Sequence, residues 1–535
     1  MSSEAQYSLA DFYFTDTDDP LVPPPDFGTW RRDAAWAFAL FEPEMQGAVE
    51  PVMKINRAGK SRTVVNLSSY NYLGLASHPE VIEAGKRALS KYGTGACGSP
   101  MLSGMTDLHR ELEHRLVQFT GHEDVMLFNS GFGGGLGTLT GILRSGDLAL
   151  LDAKCHLCLI DGVKLAKAKL QFFSHNDPAA LDEALSKSAG RRRLIVIEGV
   201  YSMDGDTARL PELLEVANRH GVGVMIDEAH SILALGERGR GCLEHYGFAP
   251  DAVGLQYATF SKSFAHAGSF VAGKKELIRY LRHYVNAYAF SCALPPVVVG
   301  GLLKALELGT RDNSLREKLW ANVEYFRAGA ESLGLDLGDS DSQVFPIIIG
   351  SDRQMLYEQC IAMNEAGLFL APVDYPSVPE DSLRYRVAIT AAHETVDLDR
   401  ALEILEGTVV KALREAGTLG ERRGPRVNGQ SVKGERHDEH AGDLQTMAKF
   451  VLRQASAIAN SSNKRARIVQ LSAMAYDHFV ERARDPGSTY ERLVKVWDDL
   501  DWRQGLDTLR TVREELSSRP GYRAESKRER GGRPT

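Results

Sequence analysis

Between about residues 60 and 412 the chain alternates short β-rich apolar runs with helical stretches, and this alternation limits the fold more than any other feature. DVMLFN, LALLDA, RLIVIEG, GVGVMID and PDAVGLQYATF are apolar runs bounded by Gly, Asp or Asn. AALDEALSKSA and LPELLEVANRHG lie between them, and EVIEAGKRALSKYG places apolar residues at helical spacing before Gly93. Strands that alternate with helices predict a mostly parallel, doubly wound α/β sheet.

The pattern also divides the chain. Residues 1–60 read as an N-terminal arm, Pro- and Asp-rich at first and then helical around DAAWAFALFEPEM. Residues 61–300 form the large α/β domain, and 301–412 a smaller one with the strands VFPIIIG and RYRVAIT. Residues 413–442 are polar and Gly-rich, which predicts a linker. Helical periods at 443–518 predict a helical appendage, and 519–535 a disordered basic tail.

Composition narrows the function classes. A formal charge of −8 argues against nucleic-acid binding, which calls for a basic surface. No apolar run approaches the roughly 20 residues that span a bilayer, so no membrane span is expected. The acidic start MSSEAQYSLADFYFTDTDD lacks the basic and apolar regions of a signal peptide, and a cytoplasmic protein is expected. Six cysteines in 535 residues predict reduced thiols; Cys155 and Cys158 form a C-x-x-C without a second pair and read as small buried residues.

Chemistry-bearing residues follow the apolar runs. NSGFGGGLG fits neither G-x-G-x-x-G nor a P-loop, but it sets Ser130, Gly131 and Phe132 at a Ser-Gly turn opening a helix. Such an N-terminus is a ready anion site, although a plain Gly-rich turn has the same sequence. His156 follows LALLDA, and Ser202 lies in EGVYSMDGD. Asp227 closes GVGVMID, with His230 three residues on. Ligands gather at the C-terminal ends of parallel strands. No further ligands stand at matched spacing, so no metal is expected. One buried carboxylate suits a protonated ring nitrogen. In YATFSKSFAHAGSF, Lys262 is either a solvated surface lysine or, among small residues, the amine that carries a cofactor as a Schiff base.

Taken together, NLSSYNYLGL, GTGACGSPMLSG, SGF, DAKCH, EGVYSMDGD, IDEAHS, GERGRG, TFSK, FSCALPP and RVAITAAHE resemble the α-oxoamine synthase family of pyridoxal-phosphate (PLP) enzymes. The resemblance covers about 60–410 and implies the aspartate-aminotransferase-like fold type I. It implies PLP bound covalently to Lys262, with Asp227 on the ring nitrogen, His156 on the ring face, and His230 and Ser202 on the ring oxygen. Ser130, the Gly131 and Phe132 amides and Thr259 would take the phosphate. Ser291 in FSC would reach it from a neighbouring subunit, which implies a homodimer with a shared active site. Arg386 would clamp the amino-acid carboxylate in preference to Arg384, and Asn71 would touch the substrate.

The implied reaction condenses a small amino acid (serine, alanine or glycine) with an acyl thioester, releasing carbon dioxide and an α-amino ketone. The acyl donor would be acyl-CoA or an acyl-carrier protein. The same fold also serves aminotransferases, and a non-catalytic partner subunit is the third alternative; such subunits lose the lysine present here. Three positions depart from the family pattern: Cys158 where Ser is frequent, Ser269 where Gly is common, and Pro100 where several members have Arg.

Overall fold

A computed structural model describes residues 19–24, 27–28, 42–57, 59–188 and 192–420. The helical reading around residues 31–41, and the stretches read as appendage and tail, lie outside the described residues.

The chain builds three sheets from fourteen strands among the described residues. The largest contains β4 (Asp124–Phe128), β5 (Leu148–Asp152), β6 (Lys169–Phe173), β7 (Arg193–Glu198), β8 (Gly223–Asp227), β9 (Leu255–Thr259) and β10 (Ser269–Gly273). Its order is β4-β10-β9-β8-β7-β5-β6. β10 runs antiparallel to both neighbours, and the remaining pairings are parallel. The expected doubly wound sheet is therefore present. β6 and β10 are additional to the expected strands; their runs KLQFF and SFVAG are short and carry no turn signal as clear as the others.

Central strands are buried along their whole length, as both faces of a parallel sheet require: every residue of β5 and β9 is buried. The two-residue period then divides the apolar side chains between two layers. Leu148, Leu150, Ile195, Ile197, Val224 and Ile226 pack in one cluster, while Ala149, Leu151, Val196 and Met225 pack in another.

A second sheet joins β1 (Glu44–Met45), β2 (Val52–Arg57), β3 (Lys60–Asn66) and β12 (Leu368–Phe369). Residues 44–57, read as arm, are thus partly a hairpin whose partner strand comes from 300 residues downstream. The third sheet joins β11 (Val344–Gly350), β14 (Leu383–Ala388) and β13 (Pro372–Val373). The division expected at 300/301 falls inside the helix Pro296–Arg311. One continuous core, from Val65 through Phe270 to Leu413, joins the regions on either side. The compact body also runs past 412: Leu413 is buried and Leu419 packs on the same core, so the first residues of the stretch read as linker belong to the fold.

Helix boundaries follow local chemistry. Pro79–Tyr92 starts with proline in its first turn, which is free there because that N–H has no helical partner, and stops at Gly93. In Pro178–Ser186 the Asp177 carboxylate accepts the amides of Ala179 and Ala180 at 2.9 and 3.2 Å.

Candidate active site

Six strands of the large sheet (β4 to β9) point the same way, so their C-terminal ends share one edge. Past those ends stand Ser130, His156, His175, Ser202, His230 and Lys262 in turn. These residues, of which all but His175 were singled out in the sequence, converge because parallel strands place all their last residues on one side.

Glu198 and Asp227 close β7 and β8 and sit directly opposite in the register. Both are almost fully buried. Burial pushes Asp227 up to about 6, against the pull of the Lys262 ammonium and one hydrogen bond from the Ala229 amide at 2.9 Å. Glu198 is also raised, by burial and then by Asp227, and its Oε1 accepts the His156 amide at 2.5 Å. Lys262 is lowered by burial, with Asp227 and Glu198 opposing. A lysine shifted in this direction holds more neutral amine near neutral pH, the form that attacks a carbonyl. Lys262 is therefore half-buried at a charged site and is not a solvated surface lysine.

His156 precedes the helix Leu157–Leu165, and its Nδ1 accepts the Cys158 amide at 3.2 Å. Burial and then Lys262 lower its pKa, and the Phe132 ring stands edge-on at 6.3 Å. His230 is buried and held neutral by burial first and Lys262 second. Its Nδ1 shares a 2.7 Å hydrogen bond with Tyr72 Oη, and its carbonyl accepts Gln343 Nε2 at 2.6 Å.

The Ser-Gly turn is built as a helix N-terminus. Ser130 Oγ accepts the Gly133 amide at 3.1 Å, and its carbonyl takes the Gly134 amide. The amides of Gly131 and Phe132, first in the helix Gly131–Ile142, have no intrahelical acceptor to reach. Thr259 lies against them: a Cβ built on Gly131 would stand 2.7 Å from Thr259 Oγ1. Most of the other glycines serve packing rather than anion access. A Cβ would stand 2.1 Å from Ser269 Oγ at Gly134, 2.7 Å from Cys158 Sγ at Gly135 and 2.9 Å from Ala287 Cβ at Gly137. The departure at Ser269 has a use, since its hydroxyl donates to the Ser130 carbonyl at 2.8 Å. Cys155 and Cys158 are buried in the apolar layer.

Arg384 and Arg386 share a face of β14, yet their partners differ. Arg384 is ion-paired to Asp204 at 2.9 Å, which in turn meets Lys154 at 3.0 Å. Arg386 has no carboxylate partner among the described residues. Its guanidinium lies 4.6 Å over the Tyr70 ring and reaches the Ser202 carbonyl at 3.4 Å, and burial lowers it to about 10. An unpaired buried guanidinium is poised for an anion from outside.

Two further expected residues are engaged within their own chain. Asn71 binds backbone with both ends of its amide, donating to Val49 O at 3.3 Å and accepting Ala76 N at 3.2 Å. It braces the SYNYLGL loop. Ser291 Oγ accepts Asn129 Nδ2 of its own chain at 2.6 Å, next to the Ser-Gly turn. Glu198, Tyr70, Tyr72 and Gln343 were not singled out. Glu198 had a signal, since it ends RLIVIE as Asp227 ends GVMID; the other three meet His230 or Arg386 only through long-range folding.

Comparison with known proteins decides the family. The family model for aminotransferase class I and II matches residues 62–405. The chain belongs to that family. It is 38% identical over 347 residues to the 8-amino-7-oxononanoate synthase of Thermoanaerobacter pseudethanolicus, covering 64% of this chain and 87% of the relative. It is 36% identical to the serine palmitoyltransferase of Bacteriovorax stolpii, covering 64% and 82%. Among solved structures, Sphingomonas wittichii serine palmitoyltransferase superposes with a TM-score of 0.69 at 31% identity, covering 74% of this chain and 98% of that one. A structure of SPT with a PLP internal aldimine also gives 0.69, at 30% identity, with the same coverage. The α-oxoamine synthase resemblance and the fold type I architecture are thereby borne out. Among the described residues, no helix is long and apolar enough to cross a membrane.

The residues present fit a pyridoxal phosphate. Among the described residues, Lys262 is the cation that pulls on the two adjoining buried carboxylates, two helix N-terminal amides stand beside Thr259, and the neutral His230 flanks the lysine. A cationic ring with an anionic phosphate answers both ends.

Proposed function

We propose that this chain condenses a small amino acid with an acyl thioester, with loss of carbon dioxide, to give an α-amino ketone, using pyridoxal phosphate held on Lys262. The observation that carries it is the buried Asp227 carboxylate facing Lys262 across the strand ends, with the unpaired Arg386 nearby. The bound cofactor supplies an electron sink for the carbanion formed at the amino-acid Cα.

The chain's own groups hold and orient. Lys262 would hold the cofactor through its Nζ, and its free amine would take the proton from the substrate Cα. Asp227 keeps the ring nitrogen protonated, and the ring's charge relieves the cost of burying that carboxylate. His156 would cover one face of the bound ring, while His230, oriented by Tyr72, and Ser202 would hydrogen-bond its oxygen. Ser130, the amides of Gly131 and Phe132, and Thr259 hold the phosphate at a helix N-terminus. Arg386 would clamp the substrate carboxylate with a two-pronged guanidinium and so orient the amino acid.

The working unit in this reading is a homodimer with a shared site, to which a second copy adds Ser291. Exposed apolar side chains support it: Leu102 and Phe290 are 88% and 86% exposed, and Phe132 beside His156 is half-exposed. The six unpaired cysteines support a cytoplasmic setting.

The test is the visible spectrum of purified protein titrated with PLP, then with glycine, L-alanine and L-serine, followed by acyl-CoA and acyl-carrier-protein donors. The expected result is a yellow protein whose spectrum shifts with one amino acid and which releases carbon dioxide only when a thioester is added. An oxo-acid product without a thioester would make it an aminotransferase, and a colourless protein would reject the reading.

A further inference from the structure

A second cluster of buried charge lies on the same sheet edge, two strands from Asp227, and the proposed function leaves it without a task. His175 follows β6. Its Nδ1 is 2.9 Å from Asp152 Oδ1, and its Nε2 is 3.0 Å from Asp206 Oδ2. Asp152 closes β5 and opens the turn that delivers His156; Asp206 ends the loop that delivers Ser202 and Met203.

Both loops fold around this histidine. Asp152, fully buried, accepts the Lys154 amide at 2.8 Å, the Asn176 amide at 2.7 Å and Tyr201 Oη at 2.9 Å besides His175. Asn176 Nδ2 repeats the bridge to Asp206 at 2.9 Å. The Tyr201 amide donates to the Asp206 carbonyl at 3.0 Å, and the tyrosine ring stands edge-on to His175 at 4.4 Å. With both ring nitrogens between carboxylates, both must donate, which only the protonated ring can do.

We propose that His175 is a positioning residue that ties the turn carrying His156 to the loop carrying Ser202, so that the two sides of the cofactor pocket hold their spacing together. The inference rests on the proposed roles of His156 and Ser202 as cofactor contacts. The charge is sustained by its neighbours. Burial opposes it, but the hydrogen bonds to Asp152 and Asp206 outweigh burial and bring His175 up to about 9. The titratable groups that face it are Asp152 from β5 and Tyr201 and Asp206 from the loop after β7. Tyr201 is raised by burial and then by Asp152, and so stays neutral. Since the folded pKa lies above the unfolded one near 6.5, the clamp is fully present below about pH 6.5 and is lost as pH rises through about 9.

The experiment compares wild-type protein with His175→Gln and Asp206→Asn. It reads the affinity of apoprotein for pyridoxal phosphate by tryptophan fluorescence, alongside thermal melting, across pH 6 to 10. For wild type, the expected result is an alkaline loss of affinity with its midpoint near 9. His175→Gln is expected to bind about 10- to 100-fold more weakly at pH 7, with no alkaline limb of its own. Asp206→Asn, with one carboxylate gone, should keep the limb but move its midpoint down. A wild-type affinity flat to pH 10, or an Asp206→Asn midpoint equal to wild type, would overturn the clamp even if the glutamine variant fails to fold. A glutamine variant that melts early yet binds with wild-type affinity would reduce His175 to a purely structural role and also overturn it. Because binding is read without turnover, failure of the condensation reaction would be seen separately, as wild-type protein that binds cofactor and makes no product.

Discussion

Two pairs of buried carboxylates stand on one edge of the large sheet and are treated in opposite ways. Asp152 and Asp206 enclose His175, and Asp152 takes three further donors besides. Glu198 and Asp227, on the next two strands of the sheet, receive one backbone amide each and face a half-buried lysine. The first pair is compensated within the chain, while the second is raised by its own burial. Buried charge without a partner costs stability, and a fold keeps it where something outside the chain brings the opposite charge. The arginines of β14 repeat the contrast, with Arg384 paired to Asp204 and Arg386 open.

Substitutions can break this contrast, and the largest effect belongs to the lysine. Lys262→Ala is expected to lose at least about 10³-fold in turnover along with the visible absorbance of bound cofactor, checked by assay and spectrum. Asp227→Asn should lower turnover by about 10²- to 10³-fold, since the ring nitrogen loses its counter-charge. In apoprotein the same change should stabilise. Asp227 has a folded pKa raised to about 6, so its charge costs nothing below about pH 4 and its full amount above pH 6. Melting curves of the asparagine variant should therefore gain on wild type as pH rises through that window. Asp152→Asn should do the reverse and lose about 1–3 kcal/mol, because its donors are left poorly matched. If both asparagine variants destabilise apoprotein alike, the contrast between the pairs is wrong.

The arginines sharpen the same point on a smaller scale. Arg386→Lys should raise the KM for the amino acid about 10- to 100-fold with little change in melting, because an ammonium cannot reproduce the two-pronged clamp. Arg384→Lys should instead lower the melting temperature and leave that KM within about 2-fold. The smallest effect is expected from Ser130→Ala, which removes one helix cap and should cost about 1 kcal/mol in chemical denaturation.

Much of the sheet was legible because its strands are apolar on both faces and end in charged or turn residues. Lys262, Asp227, His156 and His230 could be singled out for the same reason: each directly follows such a run. Glu198 was legible by that rule and was overlooked. Asn71 was harder to read, because a polar residue in a loop looks the same in sequence whether it faces a ligand or braces backbone.

The sequence by itself determined the alternation of strands and helices, and hence which residues stand past strand ends, because periodicity and turn chemistry act over a few neighbouring positions. The tertiary structure alone decided the partners. Tyr72 meets His230 across 158 positions and Arg384 meets Asp204 across 180, separations at which no local pattern carries information. Which carboxylate is compensated and which is left open is a matter of burial and distance, and both exist only once the strands have been placed side by side.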